Sequence, residues 1–265
     1  MVYLRSISLN VREGAYPFNS PAITRLERME FGAVTILVGE NGSGKSTLLE
    51  ALARLMRLPA IGVADAGDDA TLNAVQPLSD AMRPVFARRP RSGMFLRAED
   101  FFGYTRRISA LQAEMRAELE RVDLEYANAS AFTRGQARMA YAGSLYALNQ
   151  AHGEDPDARS HGESFVHLFN ERVHDGGLYL LDEPEAPLSP LRQLALISLI
   201  MKREPRSQFI IATHSPMLTA YPGAQIWSFD DAPARRVDYS ELDSVRLIRD
   251  FLNAPERYLA RLRDE

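Results

Sequence analysis

The residues of this chain best suited to chemistry form the stretch GENGSGKST at positions 39–47. It matches the pattern G-x-x-x-x-G-K-S/T at every fixed position, and this pattern is typical of a loop that binds phosphate groups. Backbone N–H groups at the start of the following helix would bind the β- and γ-phosphates of a nucleotide. Lys45 would contact the phosphate oxygens, and the Ser46 hydroxyl is placed to ligate Mg²⁺. The predicted phosphate-contacting residues are Gly39, Glu40, Asn41, Gly42, Ser43, Gly44, Lys45, Ser46 and Thr47.

The residues on either side of this loop support the prediction. Residues 34–38 (VTILV) have the apolar, β-branched character of a fully buried central strand, and a helical pattern with Leu48 and Leu49 on one side follows the loop. An ordinary glycine-rich turn between a strand and a helix is the alternative. Lysine is rare here, since only Lys45 and Lys202 among the 31 Lys and Arg residues are lysine. A lysine at the position that the pattern requires therefore favours the phosphate site.

Two further apolar runs end in polar residues that could act on the same phosphate. The run at 178–181 is followed by Asp182 and Glu183, which would hold Mg²⁺ and act as a base for the attacking water. The alternative is an acidic turn after a core strand. The run at 209–213 is followed by His214, and a lone histidine in such a place is usually structural. Because open α/β sheets bind ligands at the carboxyl ends of their strands, we predict that His214 contacts the γ-phosphate or the water.

Two aromatic residues lie upstream of the glycine-rich loop, in the segment AYPFNSPA. Tyr16 or Phe18 could stack on a nucleotide base. The more ordinary alternative is that either ring packs in the core or within the loop itself.

Composition limits the class of protein. The chain is 46% hydrophobic and contains no cysteine, so it can bury a core without disulfides or thiolate metal sites, and a reducing cytoplasm suits it. Its start lacks the apolar core of a signal peptide, and no stretch approaches the roughly 18 uninterrupted apolar residues of a membrane span. A net charge of −4 argues against an extensive DNA-binding surface. Arg88, Arg89 and Arg91 are most simply a solvated patch, with a polyanion contact as the alternative.

Periodicity outlines one domain over residues 1–265. Residues 59–93 are rich in Gly, Asp and Pro, and we predict a surface excursion with little regular structure. A buried strand is expected at 94–97. Apolar residues at steps of three and four from Ile108 to Tyr126 predict an amphipathic helix of about five turns within a helical subdomain at 104–160. Apolar residues of the tail are predicted to be packing residues: Trp227, Leu247, Ile248, Phe251, Leu252, Tyr258 and Leu259.

The motifs GENGSGKST, SHGES, LYLLDEPEAPLSP and ATHSP, in that order, make the chain resemble the ABC-type ATPases, in the branch of stand-alone soluble cassettes. The resemblance spans nearly the whole chain. It implies an α/β P-loop fold of the ABC-ATPase type, with a mostly parallel central sheet, flanking helices, antiparallel N-terminal strands and a small helical subdomain. It also implies that the chain binds ATP with Mg²⁺, hydrolyses ATP and forms an ATP-dependent, head-to-tail homodimer.

Further residue roles come from this resemblance. SHGES, at 160–164, is similar to the family's signature loop, so Ser160 and Gly162 would contact the γ-phosphate bound on the opposite subunit. It departs from the common LSGGQ pattern, with His161 at the first glycine. Glu99 stands where the family has the glutamine of its glutamine loop, which implies a role toward Mg²⁺ or water. Ser189 stands where the interface loop usually has an aspartate.

Other functions within and outside the family remain alternatives. The interval from Glu99 to Ser160 can hold a helical subdomain but not the long coiled coil of the chromosome-maintenance and break-repair ATPases. The chain could instead be the ATP-binding subunit of a membrane transporter, or a nucleic-acid-dependent or defence-associated ATPase. A small-molecule kinase would share the P-loop, but Glu183, SHGES and His214 are surplus to such an enzyme.

Overall fold

The structure is a computed structural model that describes residues 1–60, 70–153 and 161–263. The predicted site residue Ser160 lies outside these ranges. The strands are β1 (Leu4–Ser8), β2 (Arg28–Glu30), β3 (Val34–Val38), β4 (Arg83–Phe86), β5 (Ser92–Arg97), β6 (Gly177–Asp182), β7 (Gln208–Ala212), β8 (Gln225–Ser228) and β9 (Arg235–Val237). The α-helices are α1 (Pro21–Thr24), α2 (Lys45–Met56), α3 (Gln76–Ala81), α4 (Ala98–Glu125), α5 (Ala131–His152), α6 (His161–Arg172), α7 (Pro190–Arg203), α8 (Pro216–Thr219), α9 (Asp243–Asn253) and α10 (Pro255–Arg263).

Six strands form the central sheet in the order β5-β6-β7-β3-β8-β9. The first five run parallel, and β9 is antiparallel to β8. A smaller antiparallel sheet has the order β2-β1-β4. The predicted α/β class, with a mostly parallel central sheet and antiparallel N-terminal strands, is confirmed. Because the central strands are parallel, the ends of β3, β6, β7 and β8 lie at one edge, where such sheets bind ligands.

The central sheet is buried on both faces, and every residue of β3, β6 and β7 is buried. On one face, Leu48 and Leu49 of α2 pack in a cluster that also includes β1. On the other face, Phe165 of α6 and Leu196 of α7 belong to a second cluster. Burial on both faces explains why these strands are apolar throughout instead of alternating.

One buried side chain joins the two sheets. Gln208, the first residue of β7, is 0% exposed. Its Oε1 accepts hydrogen bonds from the backbone N–H groups of Tyr3 (2.9 Å) and Leu4 (2.8 Å). Its Nε2 donates to the carbonyl oxygens of Leu4 (2.9 Å) and Gly32 (2.8 Å). The bonds with Tyr3 and Leu4 fix the start of β1 against the start of β7, and the bond to Gly32 holds the segment between β2 and β3.

The prediction of little regular structure at 59–93 is wrong for its second half. A 3-10 helix covers Ala70–Val75, followed by α3 and β4, and β4 pairs with β1. Leu72, Val75 and Leu78 are fully buried in the core. Their spacing of three residues is helical, and Pro77 lies in the first turn of α3, where proline is tolerated because the first N–H groups need no partner within the helix.

The predicted strand at 94–97 belongs to β5, and the predicted amphipathic helix belongs to α4. Helix α4 has 28 residues and begins directly after β5, so it is longer than the five turns expected from the pattern. It packs along α5, and Gln112 is buried between them, donating to Asn149 Oδ1 (2.9 Å) and to the Gly153 carbonyl (2.7 Å).

Among the described residues, none of the helices is long and apolar enough to span a membrane.

The prediction that apolar tail residues pack holds for Trp227, which is buried, but is wrong for Leu247 and Leu252, which are largely exposed. Val245 is buried and anchors α9, whereas Leu247 and Leu252 are 56% and 71% exposed. The rings of Phe251 and Tyr258 pack edge to face on each other, with their centroids 5.8 Å apart. The helical period was visible in the sequence, but the period alone does not say which neighbour an apolar face meets.

Candidate functional site

The glycine-rich loop connects β3 to α2, as its sequence predicts. Gly44 precedes the first helical residue and has a left-handed backbone conformation, with φ of 107°. A Cβ atom at Gly44 would lie 2.6 Å from Ser20 Oγ and 2.8 Å from Ile23 Cδ1. Both the backbone conformation and the close neighbours therefore require glycine at this position.

Lys45 is 4% exposed at the first turn of α2. Its ammonium group donates to the carbonyl oxygens of Gly39 (2.7 Å) and Glu40 (2.8 Å) and so lies inside the loop. Burial lowers the pKa of Lys45, and four nearby carboxylates oppose that shift. Those carboxylates belong to Asp182, Glu183, Asp230 and Glu185. Lys45 is thus a buried cation at the centre of an acidic site.

Ser46 and Asp182 lie together at the ends of β3 and β6. The Ser46 hydroxyl donates to Asp182 Oδ1 at 3.1 Å. Asp182 is 7% exposed, and burial raises the pKa of its carboxyl group to about 7, although the hydrogen bond from Ser46 lowers it. Hydroxyl and carboxylate oxygens are the donors that Mg²⁺ prefers, usually one or two from protein with phosphate and water completing the shell. The pair fits such a site, and the described residues contain no group of three or more His, Cys, Asp or Glu that could hold a metal.

Glu183 and His214 face each other across the ends of β6 and β7. Glu183 Oε1 lies 3.7 Å from His214 Nε2, and both side chains are partly exposed. The backbone of Glu183 is in the left-handed region, with φ of 49°, which non-glycine residues rarely adopt. Strain of this kind persists where the surrounding structure imposes it, and it is concentrated at functional sites.

A cleft of about 200 Å³ lies over the glycine-rich loop. It is lined by Tyr16, Asn19, Ser20, Asn41, Gly42, Gly44, Lys45, Ser46, Thr47 and Glu183. Tyr16 reaches the cleft, and its hydroxyl donates to Glu50 Oε2 at 3.4 Å. Phe18 is half-buried and packs against the core cluster that contains α2. Of the two predicted stacking residues, Tyr16 is the one beside the cleft.

Two residues that support the loop were missed by sequence reasoning. Asp230 Oδ1 accepts a hydrogen bond from the Glu40 backbone N–H at 2.7 Å. The Ser20 hydroxyl donates to the Ser43 carbonyl at 2.6 Å. Asp230 follows β8. Because open α/β sheets bind ligands at the carboxyl ends of their strands, this position could have been identified from the sequence. Ser20 carries no comparable sequence pattern.

Gly162 is buried in the first turn of α6 and is not among the residues that line the cleft. A Cβ atom there would be 3.2 Å from the Pro187 carbonyl oxygen. Glu163 forms an ion pair with Arg192 of α7. These contacts join the start of α6 to the loop that follows β6. Lys45 lines the cleft of this chain and Gly162 does not.

Glu99 lies in the first turn of α4 and its side chain is 78% exposed. Its carboxylate is 3.9 Å from Arg97 Nε. Arg97 is itself buried and pairs with Asp100 (2.7 Å) and Glu50 (3.3 Å). The end of β5 is thus occupied by the ion pairs of Arg97, the last residue of that strand. A metal role for Glu99 stays a prediction.

Comparison with known proteins identifies the class. A family model described as ABC transporter matches residues 27–186, which is more than half of the chain. A search of curated proteins finds no significant match. Similar solved structures include the Smc head domain of Pyrococcus furiosus, with 14% identity, 99% of this chain and 100% of that chain covered, and a TM-score of 0.44. A nucleotide-free ATP-binding cassette from an ABC transporter has 14% identity, 97% of each chain covered and a TM-score of 0.47.

The matched residues run from β2 to the loop after β6, so they include the glycine-rich loop, Asp182 and Glu183. The chain belongs to the ABC transporter family and is an ATP-binding cassette of the ABC-type ATPases.

Proposed function

We propose that this chain hydrolyses ATP with Mg²⁺ and uses the cycle of binding and hydrolysis to close and reopen a homodimer. One observation carries the proposal: Lys45, Ser46, Asp182 and Glu183 meet at one edge of the sheet, around a cleft over the glycine-rich loop. A cation for phosphate, two oxygen donors for a metal and an exposed carboxylate are the parts that phosphoryl transfer to water requires.

Each group has a role that follows from its surroundings. The N–H groups at the start of α2 and the ammonium of Lys45 bind phosphate oxygens. Ser46 and Asp182 hold Mg²⁺, which stabilises negative charge on the phosphates when it is bound. Glu183, which is partly exposed beside the cleft, accepts a proton from the attacking water. His214, 3.7 Å from Glu183, orients this carboxylate or donates to the phosphate.

The dimer follows from the signature residues. In the proposed arrangement, Ser160 and Gly162 of a second copy contact the γ-phosphate held by Lys45 of the first. The position of Gly162 is compatible with this, because it is buried in the first turn of α6 next to the loop after β6 and is not among the residues that line the cleft of its own chain. Each ATP then joins two chains, and binding that favours the closed dimer shifts the population toward it.

The test uses Glu183→Gln, which keeps the size of the side chain but cannot accept a proton. Turnover of ATP should fall by about 10²-fold or more. The variant should be a dimer in MgATP and mainly a monomer without nucleotide when its mass is measured by light scattering. Adding Ser160→Arg should return it to a monomer in MgATP. The same mass under all three conditions would contradict the dimer, and wild-type turnover in Glu183→Gln would contradict the catalytic assignment.

A further inference from the structure

Glu185 connects the two loops that carry the proposed catalytic groups. It lies two residues after Glu183, in the turn that follows β6. Its Oε1 accepts a hydrogen bond from the backbone N–H of His214, at a distance of 2.7 Å. A carboxylate that accepts from a backbone N–H forms one of the stronger hydrogen bonds in proteins. The end of β6 is thus tied to the end of β7 by this side chain.

The backbone around Glu185 is fixed independently of that bond. The Ala186 N–H donates to the Glu183 carbonyl (3.0 Å), and the Leu188 N–H donates to the Glu185 carbonyl (2.8 Å). These two bonds form a compact turn that aims the Glu185 side chain toward β7. We therefore expect the turn to keep its shape when the side chain is shortened.

The residues that flank His214 have their own partners as well. The Thr213 N–H donates to the Leu37 carbonyl at 3.1 Å. Ser215 caps α8, since its hydroxyl oxygen accepts from the N–H groups of Met217 and Leu218, both at 3.2 Å. Between these two neighbours, the acceptor for the N–H of His214 itself is Glu185.

The second oxygen of Glu185 argues against a role in stability alone. Glu185 Oε2 is buried, and it has no hydrogen-bond partner among the residues that the structure describes. Leaving a buried carboxylate oxygen without a donor is unfavourable for folding. Glu185 also lies close enough to Lys45 to act on the pKa of its ammonium group, so it borders the proposed phosphate site.

We propose that Glu185 is a positioning residue for His214: it fixes the His214 peptide and so sets the 3.7 Å separation between the His214 imidazole and the Glu183 carboxylate. The catalytic part of this inference rests on the proposed ATPase function. The positioning part is a property of the two loops and can be measured without any turnover.

The first experiment measures hydrogen exchange of the His214 amide by NMR in the protein without nucleotide. In Glu185→Ala this amide should exchange about tenfold faster, because the loss of one hydrogen bond corresponds to roughly that factor. Glu185→Asp, which keeps the charge but is one methylene shorter, should behave like Glu185→Ala. Glu185→Gln, which keeps an oxygen at the same reach, should stay near the wild-type rate. An unchanged rate in both Glu185→Ala and Glu185→Asp would overturn the proposal.

The second experiment asks whether Glu185 acts through His214. Glu185→Ala should lower kcat for ATP about tenfold while changing KM by no more than about twofold, and Glu185→Gln should recover most of the loss. In a His214→Ala background, Glu185→Ala should have no further effect, because residues that act as a unit are not additive. Equal effects in both backgrounds would contradict positioning.

Asp243→Ala, which removes a fully exposed carboxylate from α9, is the matched control for both measurements. If the wild-type protein does not hydrolyse ATP, the proposed function fails while the amide exchange still decides the positioning role. If hydrolysis is intact and depends on Glu183, unchanged exchange and kcat in Glu185→Ala contradict the positioning role alone.

Discussion

Arg97 and Asp182 are direct partners on adjacent parallel strands, at the ends of β5 and β6. Arg97 uses its guanidinium group to bind Glu50 of α2 and Asp100 of α4. Burial raises the pKa of the Glu50 carboxyl group, and Arg97 opposes this by stabilising its charge. The charge of Glu50 in turn helps to raise the pKa of Asp182. The ion pairs of Arg97 therefore connect the proposed metal site to the start of the helical hairpin α4–α5.

Replacing Arg97 by methionine should destabilise the fold, because Glu50 and Asp100 would keep their charges in largely buried positions. Breaking a buried ion pair typically lowers the free energy of unfolding by about 3–5 kcal/mol. Urea denaturation at neutral pH measures the change. The double variant Arg97→Met with Glu50→Gln should recover part of the loss, and a loss below about 0.5 kcal/mol in the single variant would contradict a structural role for this network.

Lys45→Ala should lower the affinity for ATP by at least about tenfold, since it removes a charge-assisted contact to phosphate. Calorimetric titration with MgATP measures the change. Lys202→Ala is the matched control, because Lys202 is the only other lysine in the sequence and lies in the last turn of α7. Lys202→Ala should bind like the wild-type protein, and equal effects of the two substitutions would show that Lys45 has no special role.

Asp182→Asn should make the protein without magnesium more stable at pH 8. The pKa of Asp182, about 7, lies above its ordinary value of 3.8, so the folded chain holds a proton that the unfolded chain releases. The contribution of Asp182 to stability is therefore largest below pH 4 and is lost as the pH rises through 7. The variant should gain up to about 4 kcal/mol at pH 8 and less at pH 5.

Denaturation curves at the two pH values check this prediction, with and without Mg²⁺ and a non-hydrolysable ATP analogue. Those ligands should stabilise the wild-type protein more than the variant, because they bind the folded state through the carboxylate. If the variant is less stable than the wild-type protein at pH 8, the charged carboxylate of Asp182 stabilises the folded state at that pH, and the prediction is wrong.

Glu183→Gly should raise the free energy of unfolding by about 1 kcal/mol while abolishing turnover, because glycine adopts φ of 49° without strain. Thermal unfolding of the nucleotide-free protein measures the change. Glu204→Gly is the matched control. Glu204 follows α7 with an ordinary φ of −52°, so glycine there should lower stability by a similar amount. Destabilisation at both positions would rule out strain at Glu183.

The sequence predicts which residues lie together at the edge of the sheet better than it predicts the path of the chain between them. Lys45, Asp182 and His214 each follow a short apolar run, and parallel strands bring such positions to one edge of a sheet. The prediction fails in the second half of 59–93, where the content of Gly, Asp and Pro indicates little regular structure although Pro77 lies in the first turn of α3. From sequence alone, a proline in the first turn of a helix cannot be distinguished from a proline in a loop. The burial of neighbours such as Leu78 distinguishes them.

The other contacts that the sequence does not predict depend on the direction in which a side chain points. Tyr16 and Phe18 are two residues apart and chemically similar, yet the structure places Tyr16 beside the cleft and Phe18 against the core. The bond from Glu185 to His214 depends on the shape of a turn. Such contacts are set by tertiary packing, which neither composition nor period specifies.

The buried side chain of Gln208 also bears on how the chain is made. Its partner Tyr3 is 205 positions earlier in the sequence, so the contact is among the least local in the molecule. At roughly 5–20 residues per second on the ribosome, β1 would wait on the order of ten seconds or more before β7 emerges. During that time the N–H groups of Tyr3 and Leu4 lack their final acceptor. Non-local pairing of this kind slows folding and exposes strands to aggregation, so β1 stays incompletely bonded in the nascent chain until β7 is made.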